Sequence, residues 1–252
     1  MNLFDLAGHT AVVTGGNRGI GLGYARGLVK AGAAVAVWAR DQATNEAAVA
    51  ELSDIGEAAA FVCDVTDVDT IDDAMSRTTD RFGRIDSFFA NAGTTGAAKF
   101  EELAISDWQH VVDVNLTGVF QTSQAAARQM IAQGTGGSIV ATASIAGTIA
   151  IPQSAHYSAT KGGVLQLVRA AAVRLARFEI RVNAISPGWI ATEMSSAAQA
   201  HEKTNSMILD RTPLRRWGTP ADFEGVAVFL ASEASSYMTG SEIHIDGGLL
   251  AS

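Results

Sequence analysis

Tyr157 and Lys161 stand four residues apart in Tyr157-Ser158-Ala159-Thr160-Lys161, within an amphipathic stretch that predicts a helix over 154–178. At that spacing both side chains share one helix face. A free phenol has a pKa of about 10 and is a poor base at neutral pH, but a nearby ammonium favours the phenolate. The pair is a tunable proton donor and acceptor, which carbonyl reduction needs. The spacing alone is common and equally describes an exposed helix pair. Ser144 lies upstream, just past the apolar run 138–141. Ligands of a parallel sheet gather outside the carboxyl ends of its strands, so a hydroxyl there can hold a carbonyl oxygen and stabilise a developing alkoxide. Asn115 falls inside a predicted long helix, 108–132. Asparagine is a mediocre former of helix interiors, so it has either a role or a buried amide bonded within its own helix.

A second cluster lies near the N-terminus. Thr14-Gly15-Gly16-Asn17-Arg18-Gly19-Ile20-Gly21 follows a predicted strand, 10–14, and opens a predicted helix, 20–31. A glycine turn in that context lets the backbone approach a pyrophosphate, which then sits on the helix N-terminus. The spacing differs from G-x-G-x-x-G, and a ligand-free strand–helix turn is the alternative. The second predicted strand, 34–38, runs into Ala39 and Arg40. An acidic residue at such a strand end binds the ribose 2′-hydroxyl, whereas a basic one accommodates a 2′-phosphate. Ala39 is not acidic, and Asp41 comes one or two positions late. Arg18 and Arg40 are then either solvated surface charges or a two-guanidinium clamp on one phosphate. The clamp favours NADPH, with NADH also possible.

These residues need a scaffold, and the chain alternates short apolar runs with longer amphipathic ones. The runs 10–14, 34–38, 58–63, 85–90, 138–141, 181–185 and 242–245 read as buried parallel strands. The segments 20–31, 44–55, 68–82, 108–132, 154–178 and 220–231 read as helices, with Gly32, Gly56, Gly83 and Gly134 suited to left-handed caps. Strict alternation implies a parallel sheet covered on both faces. The stretch 188–215 breaks the pattern and reads as an excursion over the site. No linker divides the 252 residues, so one domain, 1–252, is expected.

A net charge of −8 with no basic run argues against a nucleic-acid partner. The single cysteine, Cys63, reads as core and fits a reducing compartment. Neither a signal peptide nor a membrane span is indicated, so a cytoplasmic protein is expected. The histidines show no paired metal-ligand spacing, and no metal is expected. His156 points away from its neighbour Tyr157 or lines the substrate mouth.

Thr14–Gly21 is similar to the T-G-x-x-x-G-I-G turn of the short-chain dehydrogenase/reductases. Ala90-Asn91-Ala92-Gly93 resembles that family's N-N-A-G, with Ala90 replacing the first asparagine. Asn115, Ser144, Tyr157 and Lys161 match its tetrad in type, order and spacing, and Pro187-Gly188 matches the P-G beside its nicotinamide site. The resemblance runs from Thr10 to the closing Asp246-Gly247-Gly248. It implies a Rossmann-like, doubly wound parallel α/β sheet of about seven strands. The implied activity is an NAD(P)H-dependent oxidoreductase interconverting a carbonyl and a secondary alcohol on a small molecule. Tyr157 would exchange the proton, Ser144 hold the oxygen, Lys161 lower the Tyr157 pKa and bind the nicotinamide ribose, and Asn115 hold a relay water. Implied cofactor contacts are Gly15, Asn17, Arg18, Gly19, Ile20, Gly21, Arg40, Asp64 (to the adenine amino group), Val65, Asn91, Ala92, Gly93, Pro187, Gly188, Ile190 and Thr192 (to the carboxamide). A homotetramer is implied as well. The competing readings are a non-redox enzyme on the same fold and a dinucleotide-sensing module; the intact tetrad argues against both. Ile208–Arg211 and Arg216-Trp217-Gly218 resemble sugar-acid and polyol dehydrogenases, though 3-oxoacyl reductases carry related stretches. Arg215 or Arg216 would meet a substrate carboxylate or lie on the surface.

Overall fold

The computed structural model describes residues 2–252. The seven apolar runs form β1 (Thr10–Thr14), β2 (Ala34–Ala39), β3 (Ala58–Val62), β4 (Ser87–Ala90), β5 (Gly137–Thr142), β6 (Ile180–Pro187) and β7 (Glu242–Ile245). The helices are α1 (Gly19–Lys30), α2 (Gln42–Ser53), α3 (Val68–Phe82), α4 (Ile105–Val112), α5 (Gly118–Gln133), α6 (Ala155–Leu175), α7 (Ser196–Ala200), α8 (Glu202–Arg211) and α9 (Glu224–Ala231). One parallel sheet results, in the order β3-β2-β1-β4-β5-β6-β7.

Successive strand residues point to opposite faces, so each strand feeds two cores. Val12, Trp38, Phe88 and Ile139 pack with Ile71, Met130 and Val164 on one side. Val13, Val37, Phe89 and Val140 pack with Tyr24, Phe223 and Leu230 on the other. Both faces are covered, which is why the strands read as unbroken apolar runs. The strand order reverses between β1 and β4, the point at which open α/β sheets bind ligands beyond their carboxyl ends.

Several elements depart from the sequence reading for local reasons. The helix expected over 44–55 starts at Gln42, because the Asp41 carboxylate caps it by accepting from the Thr44 amide at 2.7 Å. The strand expected from 85 begins at Ser87, because the Gln133 amide takes both the N–H and the C=O of Ile85. Gly32, Gly83 and Gly134 are left-handed, as expected, but Gly56 is not. The helix expected over 108–132 is broken: α4 and α5 are separated by a π turn, Asp113–Thr117. The helix expected over 154–178 closes in a 3₁₀ turn, Ala176–Phe178. The excursion holds the two short helices α7 and α8 and joins β-structure only through the Ile190–Gly218 bridge. Among the described residues no helix is long and apolar enough to cross a membrane.

Candidate active site

The turn after β1 is built on close backbone approach. Gly15 and Gly19 have φ of 62° and 53°, in the left-handed region that favours glycine. A Cβ on Gly15 would lie 3.1 Å from the Ala92 Cα, and one on Gly21 would collide with the Gly15 carbonyl. The Thr14 hydroxyl accepts from the Asn91 and Ala92 amides at 2.8 and 2.9 Å, which ties the turn to the end of β4. The Asn91 side chain donates to the Thr14 carbonyl at 3.0 Å and accepts from the Thr142 hydroxyl at 3.1 Å. The Asn17 amide donates to Asn45 at 2.9 Å and anchors the turn to α2. α1 then opens at Arg18 without a side-chain cap and without an acidic residue in its first turn. Its leading amides are therefore left for an anion, and the glycine cradle beneath them has the shape a dinucleotide pyrophosphate requires.

A cleft of about 850 Å³ opens beyond the carboxyl ends of the strands. Every residue expected to contact cofactor lines it, together with Ser144, Tyr157 and Lys161. At its β2–β3 end, Arg40 Nη1 lies 3.8 Å from the Asp64 carboxylate. Burial alone would raise the Asp64 carboxyl, but bonds from the Thr66 amide and hydroxyl and the charge of Arg40 hold it below the usual carboxylate value. Asp41 also lines the cleft, with its carboxylate engaged in the cap of α2. Arg18 pairs with Glu193 of the excursion at 2.6 Å, so the glycine turn and the excursion meet across the cleft.

At the β5 end, Lys161 is buried and donates to the Thr142 carbonyl at 2.7 Å. Its Nζ lies 5.6 Å from the centre of the Tyr157 ring. Burial lowers the Lys161 pKa to about 8. Burial raises the Tyr157 phenol above its ordinary value, opposed by the neighbouring Ser144 hydroxyl. The Ser144 hydroxyl accepts from the Ala146 amide at 3.1 Å.

Asn115 does not line the cleft. It sits in the π turn, fully buried, and its side chain exchanges two 2.8 Å hydrogen bonds with the backbone of Thr94. Both bonds run to the loop after β4 and not to its own helix. His156 is buried outside the cleft wall. Arg215 and Arg216 also lie outside it, paired with Asp210 at 2.9 Å and Asp222 at 2.7 Å. Sequence reading missed Thr142, whose carbonyl and hydroxyl join Lys161 to Asn91, and Glu193; a carbonyl partner and a cross-cleft pair leave no local signature. Among the described residues no cluster of His, Cys, Asp and Glu could hold a metal ion.

The family model described as enoyl-(acyl carrier protein) reductase matches residues 15–250. Gluconate 5-dehydrogenase of Gluconobacter oxydans (strain 621H) is 38% identical, covering 100% of this chain and 98% of its own length. L-rhamnose 1-dehydrogenase (NAD(P)(+)) of Sphingomonas sp. (strain SKA58) is 37% identical, covering 97% of both chains. A crystal structure of a gluconate 5-dehydrogenase from Burkholderia cenocepacia J2315, in complex with NADP and tartrate, superposes with a TM-score of 0.95 at 36% identity, covering 100% of this chain and 98% of that one. The chain belongs to the short-chain dehydrogenase/reductase family. As a short-chain dehydrogenase/reductase, it is an oxidoreductase acting between carbonyl and alcohol groups.

Proposed function

We propose that the chain reduces the carbonyl of a small molecule, and oxidises the corresponding secondary alcohol, with NADP(H) as its preferred nucleotide and Tyr157 as proton donor and acceptor. The observation that carries this reading is one cluster: the buried Lys161 ammonium beside the half-buried Tyr157 ring, with the buried Ser144 hydroxyl next to the phenol. Bound nucleotide supplies or accepts the hydride. The chain's own groups do the rest. The α1 N-terminus and its glycines take the pyrophosphate, Arg18 and Arg40 clamp the 2′-phosphate, and Asp64 meets the adenine amino group. Thr192 holds the carboxamide and Lys161 the nicotinamide ribose. Ser144 binds the substrate oxygen and Tyr157 protonates it as negative charge develops there. The Lys161 cation lowers the cost of phenolate at Tyr157. Asn115 positions the relay water indirectly, by fixing Thr94 and the π turn.

Charge-assisted bonds are worth about 1.5–3 kcal/mol each, so removing one guanidinium costs roughly 10–150-fold in affinity for the phosphate. Comparing kcat/KM for NADPH and NADH tests the preference. NADPH should win by at least about tenfold, and Arg18→Ala with Arg40→Ala should abolish most of that margin. A clear preference of the unmodified enzyme for NADH would overturn it. Glu193 competes for Arg18, so Glu193→Gln should widen the NADPH margin. We further propose a cytoplasmic homotetramer. The exposed apolar side chains Phe120 on α5 and Val173 on α6 support a helical subunit face, and the lone, buried Cys63 supports a reducing compartment.

A further inference from the structure

The cleft wall changes character along the sheet. Beyond β2 and β3 it carries the charged pair Arg40 and Asp64, with the His110 imidazole beside them. Around Tyr157, beyond β5 and β6, it consists of the hydroxyls of Thr95 and Ser154 and the apolar walls of Ile145, Ile151, Trp189 and Met194. Among the described residues of that half, the cation is Lys161, and its ammonium already donates to the Thr142 carbonyl. Glu193, at the rim, adds a carboxylate. Cations elsewhere nearby in the chain are engaged away from the wall: Lys99 with Glu102 at 2.6 Å, Arg215 with Asp210 and Arg216 with Asp222.

A carboxylate entering this half would shed water without gaining a free counter-ion, because Arg18, the guanidinium at the rim, is already paired with Glu193. Desolvating an unpaired charge costs several kcal/mol. The half offers a better surface to an uncharged molecule. Trp189 presents an indole held edge-on to Trp217 at 6.0 Å, and Trp217 is itself tied by its ring N–H to Asn205 at 2.7 Å. Such a platform suits the apolar face of a ring, with Thr95 and Ser154 left to meet its hydroxyls.

We propose that the substrate is an uncharged ketone or secondary alcohol, such as a neutral polyol or cyclic ketone, and not a sugar acid. This rests on the oxidoreductase reading above. It departs from what the printed names of gluconate-linked relatives would suggest, because acid recognition needs a cation that this wall does not offer. The chemistry is unchanged: the carbonyl carbon gains a hydride from the reduced nucleotide, its oxygen gains the Tyr157 proton, and oxidised nucleotide leaves.

The test uses matched pairs that differ in charge. kcat/KM is measured with saturating NADPH for methyl acetoacetate against acetoacetate, and with NADP⁺ for sorbitol against gluconate. The neutral member should win in each pair, on the order of 100-fold. Met194→Lys, a substitution at an exposed rim position, should narrow the gap by raising the acid. Equal or better turnover of the acids by the unmodified enzyme overturns this inference alone. No turnover of either neutral member by protein that still binds NADPH also overturns this inference, while the oxidoreductase reading, which rests on the cleft and not on these compounds, stands.

Discussion

Desolvation disfavours whichever form of a group is charged, so burial raises the Tyr157 phenol and lowers the Lys161 ammonium to about 8. The sign of the pH dependence follows. Below about pH 8 Lys161 is a cation and Tyr157 keeps its proton; as pH rises through 8 the cation is lost first. kcat/KM for carbonyl reduction reports the free enzyme, so it should be level from about pH 6 to 8 and fall about tenfold per unit above that. Guanidinium does not titrate in this range, so Lys161→Arg should move the falling limb beyond about pH 10. An unchanged limb in that variant would assign it to another group. At this scale Ser144, Tyr157, Lys161, Arg18 and Arg40, which line one cleft, could be singled out in the sequence, because each stands in a motif of characteristic spacing. The partners of Lys161 and Arg18 could not. One is a main-chain carbonyl, and the other, Glu193, is 175 residues distant.

The element that most shapes the site is the π turn between α4 and α5. The apolar pattern of 108–132 continues through it, so periodicity alone reads one uninterrupted helix. The hint was Asn115 itself, a polar residue in a helix interior, but its partner on the loop after β4 is a tertiary fact. Asn115→Ala would leave the amide and carbonyl of Thr94 without partners, at a cost of about 2–4 kcal/mol. For a chain of this size that lowers Tm by roughly 4–16 °C, readable by calorimetry. The glycine turn hangs instead on Thr14 and Asn91, so nucleotide Kd should stay near that of the unmodified protein. A wild-type Tm with weakened nucleotide binding would contradict this division. The excursion helices α7 and α8 escaped notice for a different reason: they are short, polar and mostly exposed, and so carry no core-facing stripe to read.

On the scale of the molecule, strand–helix alternation and right-handed crossovers restrict the topology, and buried strands require helices on both faces. The seven strands were therefore legible, while their order β3-β2-β1-β4-β5-β6-β7 was not, because pairing between strands distant in sequence leaves no local pattern. That order gathers a turn near residue 15 and a helix near residue 160 at one cleft. Val173, 85% exposed, and Phe120, 45% exposed, are the side chains that the proposed tetramer would cover. Light scattering should return four times the chain mass, and Phe120→Glu with Val173→Glu should reduce it. A monomer from the unmodified chain would overturn the tetramer.

Tyr157→Phe puts the central claim to the most direct trial. The substitution keeps the ring beside Lys161 and deletes only the hydroxyl proposed to transfer the proton. NADPH Kd, followed by nucleotide fluorescence, should remain within about twofold, while kcat for carbonyl reduction should fall about 10²–10⁴-fold. Near-normal turnover in that variant would contradict Tyr157 as the acid.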